Sequence, residues 1–435
     1  MKTDTRTFLL SLLIVASLLA AAALWRMLGP ASPTSEGTVT VARVLKAVMG
    51  TDCEVKIVLQ GDPKSRGDSA FAAAERVLRD VEALMSRHIE RSELSGLNGA
   101  PAGEKVPLSA RTLEVLRASR DLHRETRGAF DVTVWPLVRL WEGAGKAGRL
   151  ASAAEVAAAR GASQWDQIQL LEDGAVKTTQ TAGADLGGIA KGFGVDLAIE
   201  ALKKEGISGG IVNLGGGLRC FGRPPGGDKW EVDVLDPFRA DKKETFAALW
   251  IGEGAVCTSG NYHRYSLING VRYSHIIDPS TGWPAKASPS ATVVAPTCMI
   301  ADGWATALCV LGPEGLALLP KDAGMEAMVV VGDPGSAVAY VTEGFPQLFK
   351  DPPGIPVKPW RSAMPLGLIH RGVESVADDA GHLLARHGHE VLRGRFADEE
   401  DPFHGTLGDN RLKRLHALRV VLPVIDLREV VQHRE

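Results

Sequence analysis

The chain has 435 residues, 45% hydrophobic and 23% charged, with a formal net charge of −3. That much apolar material supports a sizeable folded core and excludes a disordered chain. Lys and Arg are spread along the sequence, so there is no basic footprint for nucleic acid.

Lys2 and Arg6 precede an apolar run from Phe8 to Trp25, broken by Ser11 and Ser17 and ended by Gly29 and Pro30. This predicts an export signal over residues 1–29, either a cleaved peptide or a membrane anchor helix. The positive residues stay in the cytoplasm, which places the rest in the periplasm or on the outer face of the inner membrane. Residues 30–37, rich in Pro, Ser and Thr, read as a linker, and the folded body is expected over 38–345. Val55, Ile57 and Leu59 alternate with polar neighbours as a strand does, closed by Gly61-Asp62-Pro63. Phe71, Ala74, Val77, Leu78, Val81, Leu84, Met85 and His88 recur at three- and four-residue steps, predicting a helix with these residues on one buried stripe. Ser109 reads as the N-cap of another helix through Leu113, Leu116 and Leu122.

Further on, strands are expected at 211–214, 230–235, 247–251, 291–295 and 327–331, and helices near 192–204 and 300–311. Asn269-Gly270 between two apolar-polar runs predicts a tight hairpin, so the sheet is at least partly antiparallel. The mixture indicates an α+β fold. Past Phe345 the Pro-rich stretches 351–353 and 356–359 lead into a His- and Arg-rich tail, and residues 346–435 read as a C-terminal extension with no assigned role. Five cysteines, Cys53, Cys220, Cys257, Cys298 and Cys309, include no CxxC pair, which points to neither a zinc site nor a disulfide framework. They read as small buried hydrophobes, with one bridge open to them in an oxidising compartment.

Four stretches carry chemistry. In Gly183 to Gly192, glycines surround Asp185 and Lys191 at the start of a helix, where main-chain amides reach phosphate oxygens; the spacing is neither a Walker loop nor GxGxxG. Asn213-Leu214-Gly215-Gly216-Gly217 follows a short strand and lets main chain pass close to a ligand, although such glycines equally mark a turn. His275 stands at a strand end, where an imidazole suits a general base; the alternative is a histidine bonded to a turn that Asp278-Pro279 initiates. Asp302 and Thr306, four apart, share one helical face and point two oxygens the same way, a pattern that suits a hard cation and also an N-cap beside a buried threonine.

Taken in order, these stretches and four more are similar to the ApbE family of FAD:protein FMN transferases. The four are Met49-Gly50-Thr51, Ser92-Glu93-Leu94-Ser95 with Asn98, Gly128 to Val134, and Ser259-Gly260-Asn261-Tyr262. The resemblance runs from about Met49 to Gly332. It implies two subdomains around an FAD cleft, with FAD contacts at Met49, Ala129, Phe130, Asp131, Asp185, Lys191 and Ile277. It also implies magnesium at Asp302 and Thr306. His88 stands where the family commonly has a stacking Tyr, and Gly188 replaces a Thr of some relatives, leaving its carbonyl as the metal contact. Ala305 and Gly217 stand where relatives carry polar groups.

The activity implied is magnesium-dependent transfer of FMN from FAD to a Thr or Ser hydroxyl of an acceptor protein, activated by His275, with release of AMP. The acceptor expected is an extracytoplasmic flavin domain of a membrane electron-transfer complex. The alternatives are an FAD pyrophosphatase and a non-catalytic FAD-binding assembly factor.

Overall fold

A computed structural model describes residues 38–60, 64–239, 244–260 and 265–361. The expected export signal, the linker, Asn261, Tyr262 and most of the C-terminal extension lie outside these ranges. Among the described residues no helix is long and apolar enough to cross a membrane.

The chain opens with the antiparallel pair β1 (Thr38–Val48) and β2 (Thr51–Gln60), then helix α1 (Lys64–Met85). Next come α2 (Glu93–Gly99), β3 (Lys105–Pro107), α3 (Ala110–Glu125), α4 (Trp135–Lys146), α5 (Ala153–Gly161), β4 (Ile168–Leu170) and β5 (Gly174–Lys177). Helix α6 (Ala190–Lys204) leads into β6 (Gly210–Leu214), β7 (Gly217–Phe221), β8 (Trp230–Leu235), β9 (Thr245–Ile251) and β10 (Gly254–Gly260). The hairpin β11 (Tyr265–Ile268) and β12 (Val271–Ser274) precedes β13 (Ser290–Ala295), α7 (Cys298–Leu311), β14 (Glu326–Val331), β15 (Val338–Val341), β16 (Phe349–Asp351) and β17 (Val357–Pro359).

Nine strands form the main sheet in the order β1-β2-β6-β7-β10-β13-β14-β15-β17, antiparallel except for the β15–β17 pair. Side chains alternate across it. Cys53, Val55, Ile57, Ala255, Cys257, Val293, Ala327 and Val329 face one core together with Phe71, Leu78, Phe193, Ala301 and Trp304 of α1, α6 and α7. Val58, Ile211, Val256, Met328 and Val330 face the other way, against Trp230, Val232 and Leu249 of a small sheet ordered β16-β9-β8. Covered on both faces, strands such as β13 and β14 are buried along most of their length. A third cluster joins Leu137 and Trp141 of α4 to Val156, Ile268 and Ile277.

Local signals act as expected at two places. Ser109 accepts a bond from the Thr112 amide and caps α3. Asn269 and Gly270 adopt φ of 52° and 78°, the left-handed pair of a tight hairpin turn joining Ile268 to Val271. Two expectations are corrected. The folded body does not stop at 345, because β16 pairs with β9 and β17 pairs with β15. The prolines read as the start of the extension flank and end these edge strands, where a missing N–H breaks no ladder. His88 is not on the buried stripe: α1 ends at Met85, the Ser86 hydroxyl accepts the His88 amide at 3.2 Å, and the imidazole is exposed.

Candidate active site

Thr297 stands just before helix α7, but its side chain does not cap it. The cap comes from α6 instead. Asp196 accepts the Cys298 amide at 2.9 Å and the Met299 amide at 2.8 Å, and pairs with Arg219 of β7 at 2.9 Å. Burial pushes the Asp196 carboxyl up, while those two amides and the guanidinium oppose the shift by favouring the charged form.

The two helices approach closely because residue 192 is glycine: a β-carbon there would lie 2.3 Å from the Cys298 carbonyl oxygen. This approach brings the Gly192 amide to within 3.1 Å of Asp302 Oδ2, and Lys191 Nζ to 3.6 Å from the same oxygen. Asp302 is only 5% exposed. One turn on, Thr306 Oγ1 donates to the Asp302 carbonyl at 3.0 Å and meets Ser259 Oγ of β10 at 3.4 Å. Gly188 closes this recess, since a β-carbon on it would stand 3.1 Å from Thr306 Oγ1 and 3.3 Å from the Phe130 ring.

Carboxylate, hydroxyl and carbonyl oxygens therefore gather at one place. Among the described residues no three His, Cys, Asp or Glu side chains cluster for a metal. A donor set of one acid with neutral oxygens suits magnesium, which keeps waters and substrate phosphates in its shell, and fits zinc poorly.

The loop before α6 is held by side-chain bonds. Asn98 clamps residue 184, donating to its carbonyl at 2.9 Å and accepting its amide at 2.7 Å. Asp185 accepts the Gly187 amide at 2.8 Å and pairs with Arg87 at 2.9 Å. Arg87 in turn binds Glu142, whose carboxyl this bond lowers, and its guanidinium lies over the Trp135 ring. Lys191 Nζ donates to the Gly187 carbonyl at 2.6 Å. The N-cap residue of α6, Ile189, offers no side-chain cap; Ala190 donates its amide to the Leu186 carbonyl at 2.9 Å and Gly192 donates to Asp302, while the helix dipole adds positive potential at this end.

Met49 sits in the turn between β1 and β2 with φ of 48°, its sulfur 3.3 Å from where a β-carbon of Gly194 would be. Ala129 and Phe130 are buried after α3. Asp131 is engaged locally: it accepts the Thr133 amide and hydroxyl, both at 2.7 Å, and faces His123 at 3.4 Å.

His275 is exposed and follows β12 directly. Ile276 packs in the core that holds Ala301 and Trp304, whereas Ile277 packs with Leu137 and Trp141, so the imidazole stands at the seam of two clusters. Asp278 organises the following turn, accepting the Ser280 amide and hydroxyl at 2.8 and 2.7 Å and the Thr281 hydroxyl at 3.1 Å. Trp141 donates to the Gly282 carbonyl at 2.8 Å, which anchors that turn to α4.

The sequence pattern of the ApbE family matches residues 49–329. The chain belongs to the ApbE family. It is 35% identical over 294 residues to the FAD:protein FMN transferase of Vibrio cholerae, covering 66% of this chain and 86% of that protein. To the FAD:protein FMN transferase of Haemophilus influenzae it is 32% identical over 310 residues, covering 69% and 89%. Among solved structures, the flavin transferase ApbE from Vibrio cholerae matches with a TM-score of 0.63 at 30% identity, over 72% of this chain and 99% of that one. The apo form of the Pseudomonas stutzeri flavinyl transferase ApbE matches with a TM-score of 0.63 at 32% identity, over 72% and 97%.

Within this ApbE fold the structure adds residues to which sequence reading gave no role. Asp196, Arg87 and Ser259 act through partners 102, 98 and 47 positions away in the chain, at Cys298, Asp185 and Thr306. No local pattern marks such pairings.

Proposed function

We propose that this chain moves the FMN half of FAD to a Thr or Ser hydroxyl of an acceptor protein, releases AMP and requires magnesium. The observation that carries this reading is the buried Asp302 carboxylate, held against the first turn of α6 by the Gly192 amide, one helical turn before the Thr306 hydroxyl that meets Ser259. Asp302, Thr306 and the Gly188 carbonyl would hold Mg2+, which when bound neutralises pyrophosphate oxygens.

The remaining work belongs to the chain's own side chains. Lys191 adds positive charge at the N-terminus of α6, where the helix dipole favours an anion. Met49 and Phe130 offer apolar surface to the ring systems, with the exposed His88 on the rim, while Asp185, fixed by Arg87, accepts from ligand donors. His275 takes the proton of the acceptor hydroxyl as its oxygen attacks the FMN-side phosphorus, and the bond to AMP breaks.

An exposed imidazole suits a hydroxyl delivered by a macromolecule. The hairpin before it presents Tyr265, Leu267 and Val271 at 42%, 60% and 52% exposure, which supports a protein as the partner. With residues 1–29 as an export signal, the acceptor is an extracytoplasmic flavin domain of a membrane electron-transfer complex.

The test mixes the protein with FAD, Mg2+ and such a domain and weighs the acceptor by mass spectrometry. A gain of one FMN on a Thr or Ser is expected. AMP release at the same rate without acceptor, and no mass gain with it, would overturn transfer in favour of hydrolysis.

A further inference from the structure

Cys257 on β10 and Cys298, the first residue of α7, place their sulfurs 3.3 Å apart, and the Cys257 thiol also faces the Cys298 carbonyl at 3.5 Å. Both are buried, and neither has a part in the reaction above. The third glycine of the Asn213 to Gly217 stretch lies against them. A β-carbon at Gly217 would stand 3.2 Å from Cys257 Sγ and 3.5 Å from Cys298 Sγ, so the glycine leaves the space that the two sulfurs fill.

We infer that Cys257 and Cys298 form a cystine site, closing into one intramolecular disulfide that ties the start of α7 to β10 when the chain folds in an oxidising compartment. The sulfurs need approach by only about 1.3 Å to reach bonding distance. Burial pushes both thiols up, which disfavours the thiolate in the finished fold, so the exchange runs before α7 closes on the sheet. One thiolate attacks a sulfur of an external disulfide, and the second displaces it from the mixed disulfide. The external disulfide leaves as two thiols, which carry away the two electrons and the two protons that the cysteines lose.

The bridge has a structural consequence at the cation recess. Ser259 lies two residues beyond Cys257, and Asp302 lies four beyond Cys298. Tying the two cysteines therefore fixes β10 and α7, the elements whose Ser259 and Thr306 hydroxyls meet at 3.4 Å.

The experiment unfolds the full chain in reductant and refolds it in a glutathione redox buffer. Thiols are counted after denaturation, and peptides are mapped without reduction. The expected result is loss of two of the five thiols, a peptide joining Cys257 to Cys298, and a melting temperature that reductant lowers by roughly 5–10 °C. Cys257→Ser and Cys298→Ser, refolded the same way, should each keep all remaining thiols free. Five free thiols in the refolded wild type, or linkage to another cysteine, overturns the inference. The assay uses no FAD, metal or acceptor, so its failure is separate from any failure of the transferase reading.

Discussion

Replacing Gly192 by Ala tests the idea that a close helix contact builds the cation recess. The new β-carbon would meet the Cys298 carbonyl oxygen at 2.3 Å, its carbon at 2.6 Å and Met299 Cα at 2.8 Å, all of them backbone atoms that cannot swing aside. Ordinary contact distances then require α6 and α7 to separate by roughly 1 Å. Overpacking of this kind costs about 1–3 kcal/mol, offset by about 0.5–1 kcal/mol because Ala is the better helix former. A net loss of roughly 1–2 kcal/mol lowers the melting temperature by a few degrees. The same shift stretches the 3.1 Å bond from the Gly192 amide to Asp302 and the 3.6 Å approach of Lys191. A displacement near 1 Å in a positioned group costs on the order of 100-fold in rate. Thermal melts and AMP release from FAD measure the two effects. Gly143→Ala is the control, because position 143 is exposed in α4 with nothing within 4 Å of a β-carbon, so it should stabilise by about 0.5–1 kcal/mol. A Gly192→Ala protein that melts like the wild type and releases AMP at the wild-type rate would show that the α6–α7 contact does not build the recess.

Asp302→Asn keeps an oxygen for the Gly192 amide but removes the charge, so the melt should stay near wild type while AMP release falls by about 100-fold or more; unchanged release would remove Asp302 from the reaction. His275→Ala changes an exposed side chain, so fluorescence titration should give unchanged FAD affinity while transfer drops by about 10²–10⁴-fold. Asp196→Ala strips the α7 cap and leaves Arg219, 14% exposed, without its close partner; urea unfolding should show a loss of about 3–5 kcal/mol, with Asp196→Asn in between. Chelation by EDTA should stop AMP release and added Mg2+ should restore it; persistent release in EDTA would rule out the metal requirement.

Much of the fold is legible in the sequence because its signals are local. The alternation through Val55, Ile57 and Leu59, the Ser109 cap and the Asn269-Gly270 turn each depend on neighbours within a few residues, and each appears where expected. The Asp302–Thr306 pairing is legible for the same reason, since the two are one helical turn apart. His88 and the end of the folded body are misread for a complementary reason: helical spacing continues past the point where Ser86 turns the chain, and prolines look alike in an appended tail and beside an edge strand.

The family and the residue types at the recess are written along the chain, because motifs in register carry both. Tertiary structure alone decided which groups meet. Asp196 capping α7, Arg87 holding Asp185, Ser259 facing Thr306 and Cys257 against Cys298 each join residues distant along the chain. Nine strands must pair and two helices must pack to within a glycine's width before those contacts exist, and no spacing along the chain encodes that distance.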